Sequence, residues 1–437
     1  MPRASVEPLA VVEATSHSVR RNTWGEWVQV VAAYTALVLG LTLTFWLSAG
    51  PRTETEYCGT YLQLTRWAGF TANCDGFVYM EGARHPARLL EPREVRQSRP
   101  LFILLGTAVG YPITWAVQGL QTSGLLSARA VQKLPAKYRP LLGFYIGYVL
   151  LNYAVLLAAL LLFRHLYYRL TAGRGSPWVL TALQVFLISN QITKAFFWTV
   201  HQQMFTFLVP LVLLHVALQL HESDQWRGWL PGLAMLGGLL TLAYGSFVLL
   251  LPVLLYGLWL RRQQLTVERT LLGATLLILL FTGPTLLWIG LLKLRGVTYY
   301  NHEAEAYGQL VWLQALWQQP FPDFLRLAGR NLLRFLVTLP AIGVFLGMGA
   351  GLVWKLGLPV VRKFPQTVIF ALLLLQTGFL VVLGYYKERL TFMLVPLLLL
   401  LIALLLARVP GRRVEAWTIA FALSWHGWQV LSYGPFS

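Results

Sequence analysis

Charge is what this 437-residue chain has least of: 12% of its residues are Asp, Glu, Lys or Arg, against roughly 25% in an average globular domain. In its place stand 57% hydrophobic and 14% aromatic side chains. That balance excludes a water-soluble enzyme and a disordered chain, and it points to a protein whose main solvent is lipid. Cysteine is scarce as well, with only Cys58 and Cys74, which excludes a disulfide-rich secreted scaffold. Both fall in one polar loop. A bond between them and two free thiols stay equally open, because spacing alone does not bring two sulfurs to bonding distance.

Acid is short relative to base, 17 Asp+Glu against 35 Lys+Arg, for a net charge of +18. In a soluble domain such an excess would suggest nucleic acid. Here the basic residues gather in short loops between apolar runs, where cytoplasmic retention and anionic headgroups account for them, so membrane lipids and no nucleic-acid partner are expected. Nucleotide-loop, zinc-protease and nucleophile-elbow motifs are missing. The G-x-G-x-G formed by Gly347, Gly349 and Gly351 lies inside an apolar run, where close helix packing by small residues explains it better than phosphate binding. No acidic residue stands in the middle of an apolar run, which weakens an ion-coupled carrier.

What is present is a series of apolar runs. A spanning helix needs about 20 such residues, which gives about eleven candidates. They lie at 28–49, 141–163, 178–197, 204–220, 229–246, 247–260, 270–292, 331–354, 367–384, 390–407 and 415–432. The expected fold is therefore all-α, one polytopic membrane bundle over 1–437 with no separate soluble domain. Four short loops are plainly basic, around Arg164/Arg169/Arg174, Arg261/Arg262/Arg269, Lys355/Arg362/Lys363 and Arg408/Arg412/Arg413, and the positive-inside rule makes them cytoplasmic. With Arg20 and Arg21 also inside, the N-terminus is cytoplasmic. Segment 101–120, which carries Gly106, Gly110, Pro112 and Gly119, is then expected to dip in and return or to lie along the surface. Region 51–140 becomes one long extracytoplasmic loop bearing surface helices, and 293–330 a second. A full span at 101–120 is the alternative, since the seven arginines of 51–100 could face the cytoplasm.

The first loop carries a pattern. Asp75 and Tyr79 are four apart and share a face on a helix, and Arg84, His85, Arg88, Arg93, Arg96 and Arg99 follow. A carboxylate among guanidinium groups suits transfer between a sugar hydroxyl and a phosphate-linked donor: the acid takes the proton and the cations neutralise the departing phosphate. An amphipathic loop helix resting on anionic headgroups would use the same arginines. A polar-aromatic turn with Lys194, Trp198 and His201 could line the same cleft or form an interfacial aromatic belt. Tyr299, Tyr300, His302, Glu303 and Glu305 form a cluster in the second loop, as a cap over the acceptor, as a metal site or as an ordinary solvated loop.

In its order of features the chain resembles the GT-C superfamily of integral-membrane glycosyltransferases. The matching pieces are Asp75-Gly76-Phe77-Val78-Tyr79, Arg96-Gln97-Ser98-Arg99-Pro100-Leu101, and Tyr385-Tyr386-Lys387-Glu388-Arg389-Leu390 running into Met393-Leu394-Val395-Pro396. The resemblance implies an inverting transferase of the cell envelope, in the inner (plasma) membrane of a bacterium. It would move a sugar from a polyprenyl-phosphate donor to a glycan, lipid or protein acceptor at the extracytoplasmic face. It implies Asp75 as general base and donor-phosphate binding by Arg389, with Lys387, Arg99 and Arg96 beside it. No Asp-x-Asp or Glu-x-Asp pair stands in the first loop, so a divalent cation is left open. The second expectation is a non-enzymatic transporter or flippase of a lipid-linked or anionic substrate, with the arginines as its track.

Overall fold

The computed structural model describes residues 24–48, 59–63, 65, 67–125, 132, 136–222, 226–357, 364–409 and 411–432. Position 58 and the side chain of Cys74 fall outside them, so the disulfide expectation does too. The chain opens with α1 (Trp24–Thr44). An antiparallel hairpin follows, β1 (Gly59–Gln63) and β2 (Gly69–Asn73), with Gly59 opposite Asn73. It runs directly into α2 (Cys74–Arg84). Apart from this hairpin the described architecture is helical, as an all-α membrane bundle requires: in lipid a helix satisfies its own backbone groups.

Among the described residues eight helices are long and apolar enough to cross a membrane: Trp24–Leu47, Pro100–Thr122, Arg139–Leu170, Gln202–Glu222, Val267–Leu294, Phe321–Leu356, Gln366–Leu383 and Glu388–Leu406. Three more apolar helices are shorter, Pro177–Ile188, Gly228–Thr241 and Gly245–Leu260. The expected count of about eleven, set by a 20-residue yardstick, is not reached: runs 178–197, 229–246 and 247–260 give the shorter helices, 415–432 is in neither class, and Pro100–Thr122, absent from that count, is among the eight. Expected span 178–197 shows why. Its helix stops at Ile188, and Asn190 caps a separate short helix at Gln191–Phe196 by accepting from the Thr193 amide.

Segment 101–120 corrects the expected dip and return. It is one unbroken helix, α3 (Pro100–Thr122), with Pro112 inside it. Its glycines give it a flat face instead of a bend. A side chain at Gly106 would strike the Tyr148 ring, and one at Gly110 the Phe144 ring. Both rings belong to α4 (Leu142–Leu170), where Gly147 in turn meets Gly110 and Gly143 meets Thr114. Contact numbers rise on α3 as they fall on α4, so the two helices run antiparallel.

After α5 (Pro177–Ile188) and α6 (Gln191–Phe196) come α7 (Phe205–Glu222), α8 (Trp226–Thr241), α9 (Leu250–Leu260) and α10 (Val267–Leu294). Gly238 of α8 lies against the Phe281 carbonyl of α10. The later helices are α11 (His302–Tyr307), α12 (Phe321–Leu336), α13 (Gly343–Leu356), α14 (Gln366–Leu383), α15 (Glu388–Thr391), α16 (Val395–Leu406) and α17 (Arg412–Leu431). α16 is buried from Val395 to Leu405. A helix apolar on every side belongs in the centre of a bundle. Gly347, Gly349 and Gly351 of α13 are a correction: no heavy atom lies where their side chains would go. Close helix contacts are made instead by the α3–α4 glycines, by Gly237 and Gly238, and by Gly257 against Leu220.

Polar groups collect at the two ends of the bundle. At one, Arg169 bridges Glu222 at 2.6 Å and joins the C-termini of α4 and α7. At the other, the 189–204 turns fold over the N-terminal half of α4, whose Asn152 donates to the Phe196, Phe197 and Thr199 carbonyls. The candidate site forms at this second end.

Candidate functional site

Asp75 lies in the first turn of α2, where the helix N-terminus favours a carboxylate. Its side chain is 39% exposed and pairs with the Arg96 guanidinium at 3.0 Å. Arg96 is itself buried and covers the Tyr79 ring at 4.4 Å. The His201 Nε2 is 3.9 Å from the other Asp75 oxygen. Tyr79, one helical turn after Asp75 and wholly buried, donates its hydroxyl to Gln202 and accepts from Arg99 at 3.3 Å. The shared face predicted for Asp75 and Tyr79 thus places an open carboxylate above a buried phenol.

A single side chain positions the arginine segment. The Gln97 amide donates to the Leu89 and Glu91 carbonyls, and its oxygen accepts from the Tyr300 amide. The Gln97 carbonyl accepts from the Trp288 indole. Gln97 therefore ties the first loop to α10 and to the second loop, with Arg96 and Arg99 on either side. The two loop clusters meet there: Arg99 pairs with Glu303 at 2.8 Å, and Ser98 donates to the other Glu303 oxygen at 2.8 Å. Burial alone would push the Glu303 carboxyl up. Arg99, the Ser98 hydroxyl, its own backbone amide and Arg96 outweigh it and hold Glu303 below the ordinary glutamate range. Arg99 stays charged: burial opposes it, but Tyr79 and Glu303 more than compensate.

Arg389, in the short α15, lies over the Phe196 ring at 5.8 Å. Its carbonyl accepts from Gln203, which also donates to Thr206; the Thr206 hydroxyl bonds the Tyr244 hydroxyl at 2.8 Å. His201 stands between the two halves of the site, its ring 4.6 Å from that of Phe196. Burial, then the charges of Arg389, Arg99 and Arg96, hold His201 well below the usual histidine range, so it is neutral at physiological pH. Among the described residues three nitrogens here are buried without a hydrogen-bond partner: Arg96 Nε, Arg389 Nε and His201 Nδ1. Three guanidinium groups face two carboxylates, an excess of one positive charge. The two arginine Nε–H groups are buried donors that lack acceptors, which is costly, and an anion with several oxygens would satisfy them.

Other sequence candidates stand elsewhere. The Lys194 ammonium donates to the Gln429 and Ser432 carbonyls at the end of α17, and burial brings it down to about 8. Trp198 donates to the Thr42 carbonyl and packs edge-on against Trp46, holding the end of α1. Both join helix ends and do not line the Asp75 cluster. His302 contacts Tyr300 and Tyr307, and Lys387 is exposed. Among the described residues no group of three His, Cys, Asp or Glu side chains could hold a metal ion. That covers the His302, Glu303 and Glu305 arrangement. Sequence reasoning missed Ser98, Gln203 and Tyr244. Their only signal was polarity at the end of an apolar run.

No family model, no curated protein and no solved structure matches this chain.

Proposed function

We propose that the protein is a membrane glycosyltransferase that uses a polyprenyl-phosphate-linked sugar, with Asp75 as general base. One observation carries the reading: a half-exposed carboxylate shares its surroundings with Arg96, Arg99 and Arg389, and two of those guanidinium groups have buried, unpartnered Nε atoms. In this reading an acceptor hydroxyl attacks the anomeric carbon of the donor and gives its proton to Asp75. The bond from that carbon to the phosphate oxygen breaks, and the lipid phosphate leaves with the electron pair. Arginines preorganised where negative charge develops stabilise that departure. Neutral His201, close to the second Asp75 oxygen, orients the base without competing for the proton. The site lies on the extracytoplasmic side in this reading, with the basic loops around Arg164 and Arg261 in the cytoplasm.

The test is transfer from a radiolabelled polyprenyl-phosphate sugar by the purified chain in liposomes, beside Asp75→Asn. Loss of a positioned general base costs about 10²–10⁴-fold in rate, so the variant is expected to lose transfer at that scale while keeping its helical content. Full transfer by Asp75→Asn would sink the mechanism. Lipid movement across the bilayer without sugar transfer, unchanged in that variant, would favour a flippase.

A further inference from the structure

α12 is the amphipathic first part of the Phe321–Leu356 stretch, set off from the apolar α13 by a turn at Leu339–Ile342, and it divides its surface into three strips. Asn331 and Phe335, one turn apart, face the bundle and are buried. Beside them Phe321, Leu325, Leu332 and Leu336 form an exposed apolar strip, which Leu333 widens. Arg326, Arg330 and Arg334, at successive steps of four, make a third strip, and all three are exposed. Asp323 pairs with Arg326 at 2.9 Å. Among the described residues no carboxylate pairs with Arg330 or Arg334.

A helix with a buried flank, an exposed apolar flank and an arginine flank fits the boundary between acyl chains and headgroups. Two further observations place it there. Trp317, just before the helix, is 80% exposed, as interfacial tryptophans are. After the helix, the buried Thr338 hydroxyl bonds that of Thr391 at 2.6 Å, two residues beyond Arg389, so α12 sits at the Asp75 end of the bundle. We propose that α12 lies in the membrane interface at that end, and that Arg330 and Arg334, with Arg326, bind the phosphates of anionic phospholipids. The proposal is independent of the glycosyltransferase reading.

The test is native mass spectrometry of the full chain released from mixed phosphatidylglycerol and phosphatidylcholine micelles. The wild type is expected to retain phosphatidylglycerol preferentially. Arg330→Gln/Arg334→Gln is expected to lower that preference about thirtyfold, the loss expected for two arginines at an anionic surface, while Arg330→Lys/Arg334→Lys keeps most of it. Equal retention of the two lipids by the wild type would overturn the proposal, as would an undiminished preference in the glutamine pair. If the glutamine pair does not fold, a salt series on the wild type decides. The preference must weaken as salt rises, and one that does not respond counts against the arginines.

Discussion

The Arg96 guanidinium stands 3.0 Å from the Asp75 carboxylate while its flat face covers the Tyr79 ring at 4.4 Å. One cation thus joins an open acid to a buried phenol on the same helix. Because Asp75 is half in water and Arg96 is not, the pair is asymmetric, and each partner should respond differently to removal.

Arg96→Met is expected to lower stability by about 1–2 kcal/mol, through the lost cation–ring contact and the lost pair. The Asp75 carboxylate it leaves behind can still be hydrated. Thermal unfolding in detergent measures this, and a loss near zero would show that the contact contributes nothing.

Glu303→Gln should cost more. Arg99 is only 22% exposed and Glu303 only 10%, so the substitution leaves a buried guanidinium without its counter-charge, at about 3 kcal/mol. The wild-type pair should also weaken in acid. The folded Glu303 pKa is lowered, so the unfolded chain takes up the proton first. The stability the pair contributes is present above the unfolded glutamate pKa and fades as pH falls through the folded one. Acid unfolding curves of wild type and Glu303→Gln should therefore converge at low pH.

Gly238→Ala places a methyl group against the Phe281 carbonyl, a backbone atom that cannot rotate away. About 1–3 kcal/mol of destabilisation is expected. Gly349→Ala, with no heavy atom in its path, should be neutral or gain a few tenths of a kcal/mol from helix propensity. Paired melting curves check both, and equal losses would contradict the packing described.

For Lys194 burial brings the folded pKa down to about 8, against 10.5 in the unfolded chain. Between these two values the unfolded chain holds a proton that the folded chain has released, so stability should rise with pH across that window. Lys194→Met should lack this rise and should also fray the end of α17, whose Gln429 and Ser432 carbonyls lose their donor. The difference between wild-type and variant melting temperatures across the window isolates the effect.

Most of the helices were legible because apolar length is a local property. The runs at 141–163, 204–220, 270–292 and 367–384 match α4, α7, α10 and α14. Segment 178–197 was misjudged because the Asn190 cap lies inside an apolar stretch, and hydropathy does not register a cap. At the site, the Asp75–Tyr79 spacing was readable as a helical face. The union of that face with Glu303 was not, since 228 positions separate Asp75 from Glu303 and that distance is closed only in three dimensions, by the Gln97, Ser98 and Arg99 bonds.

By itself the sequence determined a helical, lipid-solvated chain with its charge kept to the helix ends, because burying some 20 apolar side chains in a row leaves water no part in the choice. Tertiary structure alone decided that α3 lies straight along α4, that Lys194 and Trp198 fasten helix ends, and that Arg96, Arg99 and Arg389 surround one neutral histidine. Those outcomes depend on the shapes of facing surfaces and on hydrogen bonds between distant turns, which residue order does not display.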